Sequence, residues 1–282
     1  MVKVKQIEAV LAGSEPFTVI DMEVKNYLPM FSDYQRMSPF FMLDHEPPQT
    51  FPAISGAGRV DGLHPHRGLE TVTIVYEGAI THYDTHGNGG TIQQGEAQWM
   101  TAGAGIQHTE FPELPEGGVS EMIQLWVLLP QSQKMSPAKY QSLTQDKIRT
   151  VPVHGGDVRV IAGEYAGTAG PAVSFSPIHL FDVRLQKDGQ AEFGFPAHFN
   201  TGAFVVKGEV SVNGETAVSS GNFILFENSG EDFTVKALKK ETVLLVLSGE
   251  PLGEPIAHRG PFVMNTKEEL DQAFQDYWDG KF

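Results

Sequence analysis

The chain has 282 residues, with 20 Lys and Arg against 35 Asp and Glu, a formal charge of −15 with histidine neutral. At roughly 150 residues per domain this is enough for about two cores, and 40% hydrophobic with 20% charged residues is ordinary globular usage, not that of a disordered chain. No cysteine is present, which excludes disulfides, thiolate catalysis, thiolate zinc sites and cysteine-ligated iron–sulfur clusters; the acidic balance, with no basic run longer than Lys239–Lys240, argues against direct nucleic-acid binding.

The opening MVKVKQIEAVLAG alternates charge with apolarity and lacks the continuous apolar core of a secretory signal. With no 18-residue apolar stretch anywhere, a soluble, cytoplasmic protein without membrane contact is expected. Short β-branched or aromatic runs follow at 17–24, 70–76, 122–129, 158–162, 179–185, 203–206, 222–226 and 242–247, punctuated by 30 Gly and 18 Pro spread along the chain. Many short strands between turn residues predict an all-β sandwich or barrel. Asn88-Gly89, Asp188-Gly189 and Asn213-Gly214 suit tight hairpins, because these residues tolerate positive φ. A short helix or turn is expected at 137–144. A C-terminal helix is expected where Thr266 stands three residues before Glu269, ahead of Leu270, Ala273, Phe274 and Tyr277, with Gly280 as its stop. Two strand–glycine–strand segments, 70–80 and 202–212, are each followed by a glycine and a further strand, at Gly95 and Gly221. This echo predicts two related barrels divided within the polar stretch 130–150, giving domains 1–135 and 150–282.

Six of the ten histidines fall between residues 45 and 108. In a strand, residues two apart share a face, so His64 and His66 can reach one metal, and His108 and Glu110 repeat that spacing. Two strands pointing these four side chains into a barrel would assemble three imidazoles and one carboxylate. That set suits Fe, Mn, Ni, Cu or Zn and excludes an oxygen-dominated Ca or Mg site. An octahedral metal there keeps two adjacent open positions for substrate and dioxygen. His82 and His86 flank Asp84 in HYDTHGNGG, read as a solvated hairpin that would otherwise rim the pocket. Nothing fixes the direction of His45. Alternation puts Met122, Gln124, Trp126 and Leu128 on one face, with Gln124 a candidate pocket donor.

Gly58, then His64-x-His66 and Glu70, resembles the first motif of the cupin superfamily, and the strings LHPHRGLETVTIVYEG (63–78), QWMTAGAGIQHTE (98–110) and MIQLWVLLP (122–130) resemble the pirin family of bicupins. The resemblance is strongest over residues 35–130 and continues in layout through the second half. It implies two packed cupin (jelly-roll) barrels with a short C-terminal helix. It also implies a mononuclear divalent metal in the first barrel, Fe(II) foremost, with Mn, Ni, Cu, Co or Zn as alternatives. The ligands carried over are His64, His66, His108 and Glu110. Glu70 is the second choice as carboxylate ligand, against a pairing with Arg67 or a strand-end hydrogen bond. The second cupin motif would place a histidine at 106, where this chain has Ile and the histidine comes at 108. In the second half, Gly194, Pro196, Thr234 and Lys236 occupy the positions corresponding to the ligands, and His198 stands alone, so that barrel is expected to hold no metal.

The same resemblance implies a quercetinase-type dioxygenase that cleaves flavonols such as quercetin with O2, with Glu110 as the catalytic base. The alternative is a metal- or redox-dependent regulator that binds a protein partner, a transcription factor or metabolic enzyme, without turnover. A monomer is expected, because closed barrels leave few free edges.

Overall fold

The computed structural model describes residues 3–19, 22–29, 33–55 and 61–282; Gly58 lies outside them. The chain divides into two compact units, one made of 15–145 with 252–282, the other of 1–14 with 146–251.

In the first unit the barrel strands are β2 (Phe17–Val19), β3 (Met22–Leu28), β4 (Phe40–Phe51), β5 (His64–His66), β6 (Leu69–Glu77), β7 (Ala79–Asp84), β8 (Gly89–Gln93), β9 (Ala97–Thr101), β10 (Ile106–Pro112), β11 (Gly118–Leu128) and β12 (Lys139–Leu143), with a separate two-stranded pair, Ala257–Arg259 and Phe262–Met264, in the tail; β1 (Ile7–Leu11) belongs to the other unit. They form a seven-stranded sheet, ordered β12-β9-β6-β11-β4-β3-β2, and a four-stranded sheet, ordered β5-β10-β7-β8. Apolar side chains from both sheets, including Val24, Val75, Ile80, Ile92 and Met122, meet in one buried cluster. Burying each such side chain contributes about 1.5–3 kcal/mol. This is the two-sheet jelly roll expected of a cupin barrel.

Several sequence expectations change in the folded chain. The run 17–24 is two antiparallel strands, Phe17 opposite Val24 and Val19 opposite Met22. The segment expected as a helix at 137–144 instead carries β12, which pairs with β9 from Lys139–Thr101 to Leu143–Ala97. Backbone pairing to an existing sheet edge outweighs a weak local helical preference. The capped helix is present as α1 (Lys267–Trp278), with the Thr266 side chain and Glu269 reciprocally satisfying each other's backbone donors.

The expected boundaries, 1–135 and 150–282, also need correction at both termini. Residues 3–14 belong with the second barrel, where β1 pairs with Asn222–Phe226. The tail 252–282 belongs with the first barrel: Arg67 bonds Asp276 at 2.8 Å, and Val263 N–H donates to the Arg67 carbonyl. Such contacts link residues about 200 apart and leave no local pattern in the sequence. Gly68, with φ +78°, sits where this tail passes; a Cβ there would meet the Val263 carbonyl oxygen at 2.1 Å.

The second unit is a nine-stranded sheet whose interior is filled by apolar side chains. Phe181, Phe193, Phe195, Phe226 and Phe233 pack there, Phe226 and Phe233 with centroids 4.3 Å apart. Among the described residues, no helix is long and apolar enough to cross a membrane.

Candidate metal centre

Two short strands bring the histidines together. His64 in β5 lies directly opposite His108 in β10, and His66 lies opposite Ile106. The ring centroids are 5.0 Å apart for His64–His66, 4.5 Å for His64–His108 and 4.9 Å for His66–His108. One nitrogen of each ring lies within 4.8 Å of the others.

The remaining nitrogens explain which atoms converge. His64 Nδ1 bonds the Gly62 carbonyl at 3.0 Å, and His66 Nδ1 faces the Pro261 carbonyl at 3.3 Å. A carbonyl accepts, so both Nδ1 atoms carry the proton and each Nε2 keeps its lone pair. His108 Nδ1 faces His82 Nδ1 at 3.4 Å, while His82 Nε2 faces Asp84 Oδ2 at 3.3 Å. The carboxylate accepts from His82 Nε2–H, which leaves His82 Nδ1 to accept from His108 Nδ1–H. His108 Nε2 is then a buried lone pair with no partner among the described residues. Burial, reinforced by the charge of neighbouring imidazoles, holds His66 and His108 well below the ordinary histidine range, so both are neutral, the form that ligates. Three anchored rings with free Nε2 atoms fit a divalent transition metal.

Glu110 shares the β10 face with His108 but is turned differently. Its Oε2 is 3.8 Å from His108 Nδ1, and it groups with His82 and His108, not with all three converging rings. Gln98 Nε2 donates to Oε1 at 2.5 Å, Gln124 Nε2 donates to Oε2 at 2.9 Å, and Thr73 Oγ1 is 2.6 Å from Oε1. Tyr140, whose hydroxyl burial pushes up in pKa, donates to Gln98 Oε1 at 2.9 Å and so fixes that amide's orientation.

Glu70 belongs elsewhere. Thr73 faces Glu110, so alternation along β6 turns Glu70 to the opposite face, where it accepts from Thr101 Oγ1 at 2.6 Å. Arg67 pairs with Asp276 and not with Glu70. His45 also faces away from the centre, bonding Glu121 at 3.1 Å. His86 is exposed on the turn.

His82 is the reading that changes most. It is fully buried in β7, opposite Glu110, and its ring stacks on Tyr140 with centroids 4.7 Å apart. The signal was the alternation Ile80, His82, Asp84, all buried, which carries the strand through the stretch read as a hairpin.

Beside the triad a cavity of about 240 Å³ opens between β2, β3, β4, β5, β10 and β11. Met42, Met122, Gln124 and Trp126 line it together with His64, His66 and Glu110, and Trp126 meets His66 edge-on at 4.9 Å. Gln124 is thus a pocket residue, as its strand face suggests.

Comparison with known proteins agrees with this architecture. The pirin family profile matches residues 21–127, and the pirin C-terminal cupin domain matches 180–282. A Pseudomonas aeruginosa protein provisionally named as a quercetin 2,3-dioxygenase is 43% identical over 88% of this chain and 87% of its own length. Pirin-like protein 2 of Arabidopsis thaliana is 37% identical over 89% of this chain and 77% of its own. The crystal structure of a quercetin 2,3-dioxygenase from Acinetobacter baumannii, 41% identical, superimposes with a TM-score of 0.93 over 99% of this chain and 98% of its own. Matched in both barrels and related along nearly its whole length to proteins of that name, the chain belongs to the pirin family.

Proposed function

We propose that the protein is a metal-dependent dioxygenase of the quercetinase type, using O2 to cleave a flavonol such as quercetin. The observation that carries this reading is the convergence of three imidazoles on the wall of an apolar cavity, with one carboxylate beside them. His64, His66 and His108 are the proposed ligands, with Glu110 as the exchangeable fourth, and Fe(II) is the first metal to test. A bound divalent metal would supply Lewis acidity toward the flavonol 3-hydroxyl and electronic coupling to dioxygen.

The protein's own contribution centres on Glu110. Thr73 has one hydroxyl proton but two close acceptors, Glu110 Oε1 at 2.6 Å and Gln124 Oε1 at 2.7 Å. Every contact is satisfied when Glu110 carries a proton on Oε1 and donates to Thr73, which donates onward to Gln124. When Glu110 is ionised, the amides of Gln98 and Gln124 still stabilise it. The network therefore accommodates both protonation states, as a base receiving the 3-hydroxyl proton requires. Trp126, Met42 and Met122 offer flat, apolar surface to an aromatic ring and exclude water from it.

The test is metal-loaded protein incubated with quercetin, with and without O2, following flavonol absorbance and carbon monoxide release. Loss of flavonol that requires both metal and O2 is expected. Binding of metal with no such turnover would overturn the enzymatic reading in favour of a partner-binding role.

A further inference from the structure

The cavity has a second polar end that the chemistry at the histidines does not use. Alternation along β4 turns Met42, Asp44 and Glu46 toward the cavity, and all three line it. Their cross-strand partners in β11 are Trp126, Gln124 and Met122. Trp126 touches His66 and Gln124 bonds Glu110, so Met122 and Glu46 mark the distant end. At roughly 3.4 Å per residue, Glu46 lies about 14 Å along the strand from Met42 at the metal end.

Glu46 is 1% exposed, and neither of its carboxyl oxygens completes a hydrogen bond among the described residues. The neighbouring Ser120 hydroxyl, also buried, is close enough to temper the charge on Glu46 but does not complete a hydrogen bond to it. Asp44 has one bond, accepting from Asn26 at 2.6 Å. Burial pushes Glu46 up to about 7 and Asp44 up to about 6, the price of holding carboxyls among Met22, Val24 and Met122. Among the described residues, no Lys or Arg side chain lines this cavity to offset them. A buried acid without a partner destabilises a fold, and a ligand that supplies the missing donor recovers that loss on binding.

We infer that Glu46, assisted by Asp44, is an acceptor subsite that selects aromatic ligands bearing hydroxyl donors at the end remote from the metal-facing oxygen. This rests on the reading of the cavity as a flavonol site, and it specifies which flavonols the cavity prefers. Methionines 22 and 122, adaptable in shape, can shift to admit a hydroxyl to the carboxyl. The ligand's apolar rings would then lie along Met122 and Trp126, with donors meeting acceptors only at the far end.

The test measures binding, not turnover. Metal-loaded protein in oxygen-free buffer at pH 8 is titrated with quercetin, with 3-hydroxyflavone and with the quercetin tetramethyl ether that keeps only its 3-hydroxyl, following tryptophan fluorescence. In the wild type, quercetin should bind about tenfold or more tightly than either ligand lacking the remote donors, the effect of one hydrogen bond to a charged acceptor. In Glu46→Leu that ratio should fall toward one, and in Glu46→Gln it should fall part of the way. A melting temperature equal to or above that of the wild type is expected for Glu46→Leu, because an unpaired buried acid has been removed; it also certifies the fold. Binding of all three ligands with the quercetin preference intact in Glu46→Leu would overturn the subsite while leaving the flavonol cavity standing. Failure of all three to bind the wild type would overturn the cavity reading, and the subsite with it.

Discussion

Replacing His82 by phenylalanine tests whether the ring behind His108 governs how tightly the triad holds a metal. The substitution keeps a flat ring stacked on Tyr140, now at 4.7 Å and 21°, and removes the nitrogens that face His108 at 3.4 Å and Asp84 at 3.3 Å. Asp84 is not stranded, because Asn88 and the backbone N–H groups of His86 and Asn88 still donate to it. His108 Nδ1–H does lose its acceptor, and Glu110 Oε2 at 3.8 Å is too distant to replace it. The ring must then leave that donor unsatisfied, at about 1–3 kcal/mol, or rotate and spoil the aim of Nε2. Partners of this kind are worth 10–100-fold in metal affinity, about 1.4–2.7 kcal/mol. Competition against a chromogenic chelator under anaerobic conditions reads the affinity directly, with a thermal melt of the metal-free protein as the control for folding. A folded His82→Phe protein whose metal affinity stays within twofold of the wild type would refute the reasoning. Adding Asp84→Asn sharpens the test: if Asp84 acts through His82, it should lower metal affinity little further in that background.

Three other substitutions probe separate parts of the first barrel. Glu110→Gln cannot take a proton from a substrate hydroxyl, so O2-dependent loss of flavonol should fall about 10²–10⁴-fold; an unchanged rate would remove Glu110 as base. Burial pushes Glu70 up to about 7 against the hydrogen bond from Thr101 Oγ1, so the fold favours its neutral form. Stability should therefore decline as pH rises from about 4.5 to about 7, by an amount on the order of 3 kcal/mol. Glu70→Gln should melt close to the wild type at pH 5 and above it at pH 8, and parallel melting curves across that range would count against this. Lys281 and Arg67, with Gln272, hold the Asp276 carboxyl well below the usual range. Its stabilisation is complete above the unfolded value of about 4 and is lost as pH falls below it. Asp276→Asn should cost about 1–3 kcal/mol at pH 7, and the loss should shrink in acid; a pH-independent difference in denaturant midpoint would contradict the assignment.

What the sequence discloses about the centre is what strand periodicity can carry. His64-x-His66 and His108-x-Glu110 are legible because a strand turns alternate residues to one face, and β5 and β10 do so side by side. The same rule reaches His82 and Asp84, but the nearby Asn88-Gly89 signals a turn and hides how far the strand runs. In fact Gly87, with φ +80°, helps make the turn, and β7 runs through Asp84. The orientation of Glu110 was not legible at all: spacing puts it on the correct face, while Thr73, Gln98 and Gln124 from three other strands decide where its oxygens point. The placement of the tail was equally hidden. A capping box announces α1, yet nothing local says that Asp276 will meet Arg67.

That tail has a bearing on the chemistry. The three converging imidazoles donate from Nδ1 to unrelated parts of the chain: His64 to the Gly62 carbonyl just before its strand, His66 to the Pro261 carbonyl in the tail, and His108 to His82 in β7. Each ring is thus oriented by a contact independent of the others, and one nitrogen of each lies within 4.8 Å of the other two. Pro261 holds its place because the flanking chain is secured on both sides. Lys134 donates to both the Gly68 and Val263 carbonyls, at 2.9 and 3.0 Å, and Arg67 joins the Ala104 carbonyl to Asp276 in α1. Arg67 follows His66 directly, so the salt bridge that docks the helix also fixes the backbone of a candidate ligand. Contacts that hold these rings in place favour affinity by lowering the entropy lost when a metal binds. The C-terminal segment therefore acts as part of the candidate centre even though it contributes none of the proposed ligands.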